Sequence, residues 1–153
     1  MEKAKVSMAK IGQGFIAAAA LVLATLVACS AETPEAQLRH RVGGMQAAVE
    51  EKRVGDFMDG VSDDFTGPDG MDRAALHNLV RARTFANARV GTTTGPLDVR
   101  VDGDNATVSF QVLLTGSTGR LLPEQAQTYD VTTAWRREQG DWRIYHARWN
   151  APR

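Results

Sequence analysis

Cysteine is almost absent from this sequence, which has only Cys29 among its 153 residues. A single thiol cannot form a disulfide within the chain, and it cannot build a cysteine-based zinc site. The chain also lacks an excess of either charge, because 18 basic residues are matched by 18 acidic ones. With no basic surplus to neutralise phosphates, we expect no nucleic-acid partner.

The common cofactor and catalytic motifs are missing as well. The chain contains no GxGxxG or Walker-type phosphate loop, no GxSxG nucleophile turn and no HExxH metal pair. Its three histidines, His40, His77 and His146, are scattered along the sequence. A histidine-based metal site is therefore not expected, and the sequence predicts neither a metal nor another cofactor.

The first residues present have the pattern of an export signal. Lys3, Lys5 and Lys10 precede residues 15–28, which carry no charge. As a helix this run would reach only ~21 Å, which is short of the ~30 Å core of a bilayer. A positive start, a short apolar run and small residues at its end are typical of a secretory signal peptide. A transmembrane anchor is the alternative that the length disfavours.

The end of this run, residues 26–29 (LVAC), resembles the lipobox of bacterial lipoproteins. The resemblance implies cleavage after Ala28, attachment of diacylglycerol to the Cys29 thiol, and acylation of the new amino group. Several acyl chains matter because one chain alone gives only marginal membrane binding. Ser30 follows the cysteine, and a serine there is similar to lipoproteins that are sorted to the outer membrane of Gram-negative bacteria. We expect removal of residues 1–28 and a lipid-anchored protein at the outer membrane, facing the periplasm; an ordinary signal peptide with an incidental cysteine is the alternative.

Residues 29–34 are then predicted to be the lipidated cysteine and a short polar tether, and residues 35–150 a single domain. Apolar residues recur at helical spacing over residues 35–53. A second, short helix is expected to begin with Asp56 as its cap, and a third to span residues 72–88. The third helix is expected to bury the stripe Leu76, Leu79, Val80 and Phe85 and to keep Arg73, Arg81, Arg83 and Arg89 outside it. The last three arginines are interpreted as a solvated face.

The second half of the domain changes to a hydrophobic period of two, which predicts strands. Residues 97–101 and 106–115 flank residues 102–105 (DGDN), a hairpin turn. Two more strands are expected over about residues 127–137 and 142–150. Helices followed by an antiparallel sheet make an α+β domain.

This order of elements resembles the NTF2-like superfamily, which includes the SnoaL-type polyketide cyclases and ketosteroid isomerase. Three stretches carry the likeness: residues 54–57 (VGDF), residues 62–72 (SDDFTGPDGMD) and residues 135–144 (WRREQGDWRI). The resemblance implies a cone in which N-terminal helices pack on a strongly curved antiparallel sheet and leave a pocket. The superfamily contains isomerases, dehydratases, cyclases and non-catalytic modules, so the fold does not fix the function.

The closing hairpin of this resemblance supplies a candidate catalytic pair. If Trp142 and Ile144 face the helices, as they do in the resembled family, strand alternation places His146 on the same concave face. Alignment of the hairpin on the family pattern places Asp130 there as well. A carboxylate beside an imidazole in a dry pocket could move a proton. The alternative is that the pair only satisfies two polar groups at the mouth of the cone.

The same alternation predicts four aromatic residues on the convex face of the sheet. They are Tyr129, Trp135, Tyr145 and Trp149. Because a large apolar patch is rarely left in water, we expect a homodimer through this face, as is common among the resembled proteins. An envelope protein bound there is the alternative.

Two functions remain open from the sequence. The first is an envelope lipoprotein whose NTF2-like domain holds a small apolar molecule in the cone, or docks a protein, and is not catalytic. The alternative is a small isomerase or dehydratase-type enzyme that uses His146 as the base and Asp130 as its orienting acid.

Overall fold

The computed structural model describes residues 32–118 and 125–150. The expected signal cleavage at Ala28 and lipidation at Cys29 lie outside the described residues. Within them are the helices α1 (Pro34–Glu50), α2 (Val54–Met58) and α3 (Arg73–Phe85), and a 3-10 turn at Pro68–Gly70. The strands are β1 (Val61–Thr66), β2 (Arg89–Thr94), β3 (Asp98–Asp102), β4 (Asn105–Ser117), β5 (Gln125–Glu138) and β6 (Asp141–Asn150).

The two long helices begin at capping residues that the sequence makes visible. Thr33 Oγ1 accepts a hydrogen bond of 3.2 Å from the backbone N–H of Ala36 at the start of α1. Asp72 Oδ1 accepts one of 2.8 Å from the backbone N–H of Ala75 at the start of α3. Each cap satisfies an amide that the helix itself leaves unpaired. Both helices are confirmed, although each ends three residues before its predicted end. No helix in the described part of the chain is long and apolar enough to cross a membrane.

The second helix is confirmed, but its predicted cap is wrong. The helix begins at Val54, so Asp56 lies inside its first turn and makes no cap. Its carboxylate instead forms an ion pair with the guanidinium of Arg53. The helix starts earlier because Val54 is buried in the core and anchors the first turn there.

Phe85 was predicted to be buried, and that prediction is wrong, since 61% of it is exposed. The inward face of α3 instead follows a spacing of four residues through Leu76, Val80 and Thr84. Positions with this spacing share one face of a helix, whereas Phe85 is turned about 100° away from Thr84. Phe85 lies beside the Lys52 ammonium, which is 5.9 Å from its ring centre.

The strands form one curved six-stranded sheet in the order β1-β6-β5-β4-β2, with β3 also paired to β4. The hairpin turn between β3 and β4 is confirmed, with Gly103 at a φ of +58°. Strands β1 and β2 were not predicted, because both are rich in polar residues and lack a clear apolar alternation. Strand β1 runs parallel to β6, so the sheet is mixed and not purely antiparallel.

The core lies between the helices and the concave face of the sheet. Leu38 of α1, Val108 of β4 and Trp135 of β5 are each at most 1% exposed. In the described part of the chain, all core residues lie between Leu38 and Ala147. Residues 30–153 therefore contain this core and can be studied without residues 1–29.

The face of β5 that points toward the helices is opposite to the predicted one. Residues directly opposite each other in an antiparallel pair lie on the same face of a sheet. Ala106 pairs with Trp135 and Val108 pairs with Thr133, and all four are buried. The odd-numbered residues of β5 therefore face the helices.

A bulge changes the alternation within β6. Ile144 pairs with Trp135, and His146 pairs with Ala134, which leaves Tyr145 without a partner on β5. An extra residue of this kind shifts every later side chain to the other face. Even-numbered residues of β6 face the helices before the bulge, as predicted, but odd-numbered residues do so after it.

A charged network joins the edge strand β1 to β5. The Arg136 guanidinium donates to Ser62 Oγ at 2.9 Å, to Glu138 Oε1 at 2.7 Å and to the Asp64 carboxylate. Hydrogen bonds from Arg136 and then from Ser62 lower the pKa of Asp64. Hydrogen bonds from Ser62 and then from Arg136 lower the pKa of Glu138.

We expect this network to make the protein less stable in acid. Carboxyls in an unfolded chain titrate near pH ~4, so a lower folded pKa adds stability above that pH. This contribution is lost as the pH falls through the lower, folded values of Asp64 and Glu138. Urea unfolding midpoints measured from neutral pH to about pH 3 should therefore fall less steeply for Arg136→Gln than for the wild type. The control Arg100→Gln, which breaks only an exposed pair with Asp98, should keep the wild-type slope. Equal slopes of unfolding midpoint against pH for Arg136→Gln and the wild type would contradict the assignment of this acid sensitivity to the network.

The two apolar positions Leu38 and Phe85 should differ sharply in their contributions to stability. Leu38 is 0% exposed, so Leu38→Ala should lower the free energy of unfolding by about 2–5 kcal/mol. Phe85→Ala should change it by about 0.5 kcal/mol or less, because that ring is largely in water. Denaturant unfolding of residues 30–153 measures both values, and a large loss for Phe85→Ala would show that α3 packs differently.

Candidate functional site

A cavity of about 820 Å³ lies between the helices and the concave face of the sheet. Pockets that bind small molecules usually have volumes of ~300–1,000 Å³ and mostly apolar walls. The walls here come from the three helices and from β1, β2, β4, β5 and β6. Their apolar residues include Val42, Val49, Leu79, Val80, Phe110, Val112, Leu114, Val131 and Trp149.

The polar groups of the inner wall are satisfied by the protein itself. Trp135 Nε1 donates a hydrogen bond of 2.7 Å to Thr133 Oγ1. Thr133 Oγ1 in turn donates one of 3.1 Å to the backbone carbonyl of Val108. This end of the cavity therefore offers a ligand apolar contact only.

The polar groups where α1 meets β2 hold the helix to the sheet. Gln46 Nε2 donates to the carbonyl of Thr92 at 2.9 Å, and Thr94 Oγ1 donates to Gln46 Oε1 at 2.8 Å. Glu50 Oε1 accepts hydrogen bonds from the N–H and the hydroxyl of Thr92. The hydroxyl bond is the main reason that the pKa of Glu50 is lowered.

The α3 side of the cavity has polar groups that remain free. Arg83 is the only charged residue among the described residues that line the cavity. Its guanidinium has no hydrogen bond or ion pair within the described part of the chain. The next residue, Thr84, is 1% exposed and also lines the cavity. Its Oγ1 is buried and has no hydrogen-bond partner among the described residues.

The predicted catalytic pair is not brought together. Asp130 and Ala134, to which His146 is paired, are separated by about 13 Å along β5. Asp130 Oδ1 accepts a hydrogen bond of 2.9 Å from Gln111 Nε2, and His146 Nδ1 is hydrogen bonded to Thr66 Oγ1 at 2.9 Å. Neither residue lines the cavity. The prediction that they share the concave face is wrong, because direct pairing with β4 sets the face of β5 and the bulge sets that of His146.

Most of the aromatic residues that were expected on the convex face lie inside. Tyr129, Trp135 and Trp149 line the cavity. Tyr145 alone is on the outer face, with the Arg136 guanidinium 5.3 Å from its ring centre. The aromatic patch that led us to expect a homodimer or a protein partner on this face is therefore not formed.

Sequence reasoning missed Arg83 and Thr84, because it placed Arg83 on the solvated face of the helix. One signal was present: Thr84 follows Leu76 and Val80 at intervals of four, which places a hydroxyl on the buried face. No group of three or more His, Cys, Asp and Glu residues in the described ranges is arranged to hold a metal ion.

No protein-family model matches the sequence, and no curated protein is significantly similar to it. Solved structures, in contrast, are similar to it at low sequence identity. An NTF2-like protein of unknown function from Pseudomonas putida has a TM-score of 0.66 and 18% identity over 80% of this chain and 90% of that one. A candidate scytalone dehydratase from Novosphingobium aromaticivorans has a TM-score of 0.68 and 10% identity over 76% and 83%.

A third structure supports the same assignment. A candidate calcium/calmodulin-dependent protein kinase II association domain from Xanthomonas campestris has a TM-score of 0.66 and 14% identity, covering 80% of this chain and 91% of that one. At these identities the likeness concerns the fold and not the activity. The described domain has the α+β NTF2-like fold, in which helices pack on a curved sheet, and the prediction of this fold is confirmed.

Proposed function

We propose that this protein is an envelope lipoprotein whose NTF2-like domain binds a small apolar molecule and does not catalyse a reaction. The observation that carries the proposal is the cavity of about 820 Å³, with its apolar walls and its internally satisfied inner end. Burial of apolar surface supplies about 25 cal/mol per Å², so a ligand that fills such a space gains substantial affinity.

The composition of the cavity favours binding over catalysis. A general acid or base must lie within hydrogen-bond reach of the proton that it transfers. The described lining residues include no aspartate, glutamate, histidine or cysteine. Asp130 and His146, which motivated the enzyme hypothesis, have partners on the outer face of the sheet. The similarity to the candidate scytalone dehydratase therefore supports a shared fold and not a shared reaction.

The envelope location is supported by the sequence alone. The positively charged start, the short apolar run and the lipobox-like residues 26–29 together favour export and lipidation at Cys29. We propose the periplasmic face of the outer membrane as the site, on the basis of Ser30 after the cysteine.

Filling the cavity should block binding. The probe is N-phenyl-1-naphthylamine, an uncharged apolar dye whose fluorescence rises when it leaves water. Its fluorescence is measured under direct excitation of the dye as residues 30–153 are added. Val131 lines the cavity and Thr132 is the next residue, on the opposite face of β5. Val131→Trp should weaken dye binding by about tenfold or more, because the loss of a few buried methylene contacts exceeds 1.4 kcal/mol.

The matched control is Thr132→Trp, which adds the same ring outside the cavity and should bind the dye like the wild type. Thermal unfolding shows that both variants are folded. An equal loss of dye affinity in Val131→Trp and Thr132→Trp, or no dye binding by the wild type, would contradict the proposed site.

Lipidation has a separate test in a bacterial host that processes lipoproteins. A Cys29→Ser protein should lose incorporation of labelled palmitate and should move from the membrane fraction to the soluble fraction, because the acyl chains provide the membrane affinity. Ser30→Ala is the control and should remain labelled. Unchanged fractionation of Cys29→Ser would contradict the lipoprotein assignment.

A further inference from the structure

We infer that the cavity takes an amphipathic carboxylate, whose apolar tail lies against the inner wall and whose head group is bound by Arg83 and Thr84. This inference rests on the proposed function, since it specifies the chemistry of the molecule that fills the cavity. It goes beyond that function by assigning a polar head-group site to the last turns of α3.

The charge of the cavity wall is the first argument. Arg83 is exposed, and it is the only charged residue among the described lining residues. A guanidinium holds a carboxylate through two parallel hydrogen bonds, which makes arginine well suited to this group. Since Arg83 has no partner among the described residues, it can bind a ligand without first breaking an ion pair.

The orphaned hydroxyl of Thr84 is the second and independent argument. A buried polar group without a hydrogen bond costs about 1–3 kcal/mol, and native proteins contain few of them. Thr84 is 1% exposed, its Oγ1 has no partner in the described residues, and the residue lines the cavity. Its Oγ1 has almost no accessible surface, so the Thr84 side chain would change rotamer to turn the hydroxyl toward a ligand oxygen in the cavity, and this hydrogen bond would remove the cost.

The surrounding charges do not cancel that of Arg83. Lys52 Nζ donates to the carbonyl of Asn87 at 2.8 Å, and Asn87 Nδ2 donates to the carbonyl of Arg83 at 3.1 Å, so a second cation lies nearby. Glu50 is held by Thr92 and does not line the cavity. The carboxyl end of α3 carries a partial negative charge of about half a unit, which is smaller than the full charge of the guanidinium.

The inference predicts discrimination between two ligands with the same tail. Laurate and methyl laurate differ in the charge of the head group, and each can be titrated as a competitor of N-phenyl-1-naphthylamine bound to delipidated residues 30–153. Laurate should bind the wild type about tenfold more tightly than the ester, because a charge-assisted hydrogen bond is stronger than a neutral one.

Three variants localise the head group. Arg83→Gln should weaken laurate binding by about tenfold and leave the ester unchanged. Arg81→Gln removes an exposed charge from the same helix outside the cavity and should bind both ligands like the wild type. Thr84→Val should weaken laurate binding by about threefold without lowering the melting temperature of the free protein, because the lost hydroxyl has no protein partner.

The outcomes separate this inference from the proposed function. If the dye binds but laurate and its ester compete equally, or if Arg83→Gln weakens neither ligand, the head-group assignment is overturned and the apolar cavity remains. An equal loss of laurate affinity in Arg81→Gln and Arg83→Gln would show a general effect of surface charge and would also overturn the head-group assignment. If the wild type binds neither dye nor laurate, the proposed function itself fails.

Discussion

The long pairing between β4 and β5, together with the bulge at Tyr145, determines which side chains the cone encloses. Direct pairing places Thr133 and Trp135 on the same side as the apolar residues of β4. The bulge then brings Trp149 onto that side and turns His146 away from it. A shift of one residue at either place would exchange the inner and outer faces, because the side-chain period of a strand is two.

The cavity is the space that these inward-facing side chains leave unfilled. Trp135 and Thr133 close the inner end through hydrogen bonds with each other and with the backbone, so no polar group there requires water. Toward α3, by contrast, the wall ends in Arg83 and Thr84, whose side-chain polar atoms have no partner in the described ranges. The cavity thus has an apolar end and a polar, positively charged side, which is the division that an amphipathic ligand requires.

Local patterns predicted the parts of this fold that local physics controls. The helices α1 and α3, the hairpin turn around Gly103 and the strand β4 are each determined by residues close in sequence. The strands β1 and β2 were missed because their stability comes from pairing with distant strands, including a charged network around Arg136, and not from an apolar alternation. The candidate site was also misjudged, because the face of Asp130 depends on the register of β5 with β4 and the face of His146 depends on a bulge that shifts the alternation of β6.

The sequence by itself determined the α+β class and the order of most elements, and its first 29 residues carry the pattern on which the proposed lipidation rests, because composition and periodicity act within a short stretch of chain. Only the tertiary structure decided that Asp130 and His146 lie apart on the outer face, and that Arg83 and Thr84 border a cavity. Which face of a sheet a side chain lies on depends on the register of its strand with a neighbouring strand. Whether a polar atom has a hydrogen-bond partner depends on all its neighbours in space. Neither property can be obtained from the residues on one segment alone.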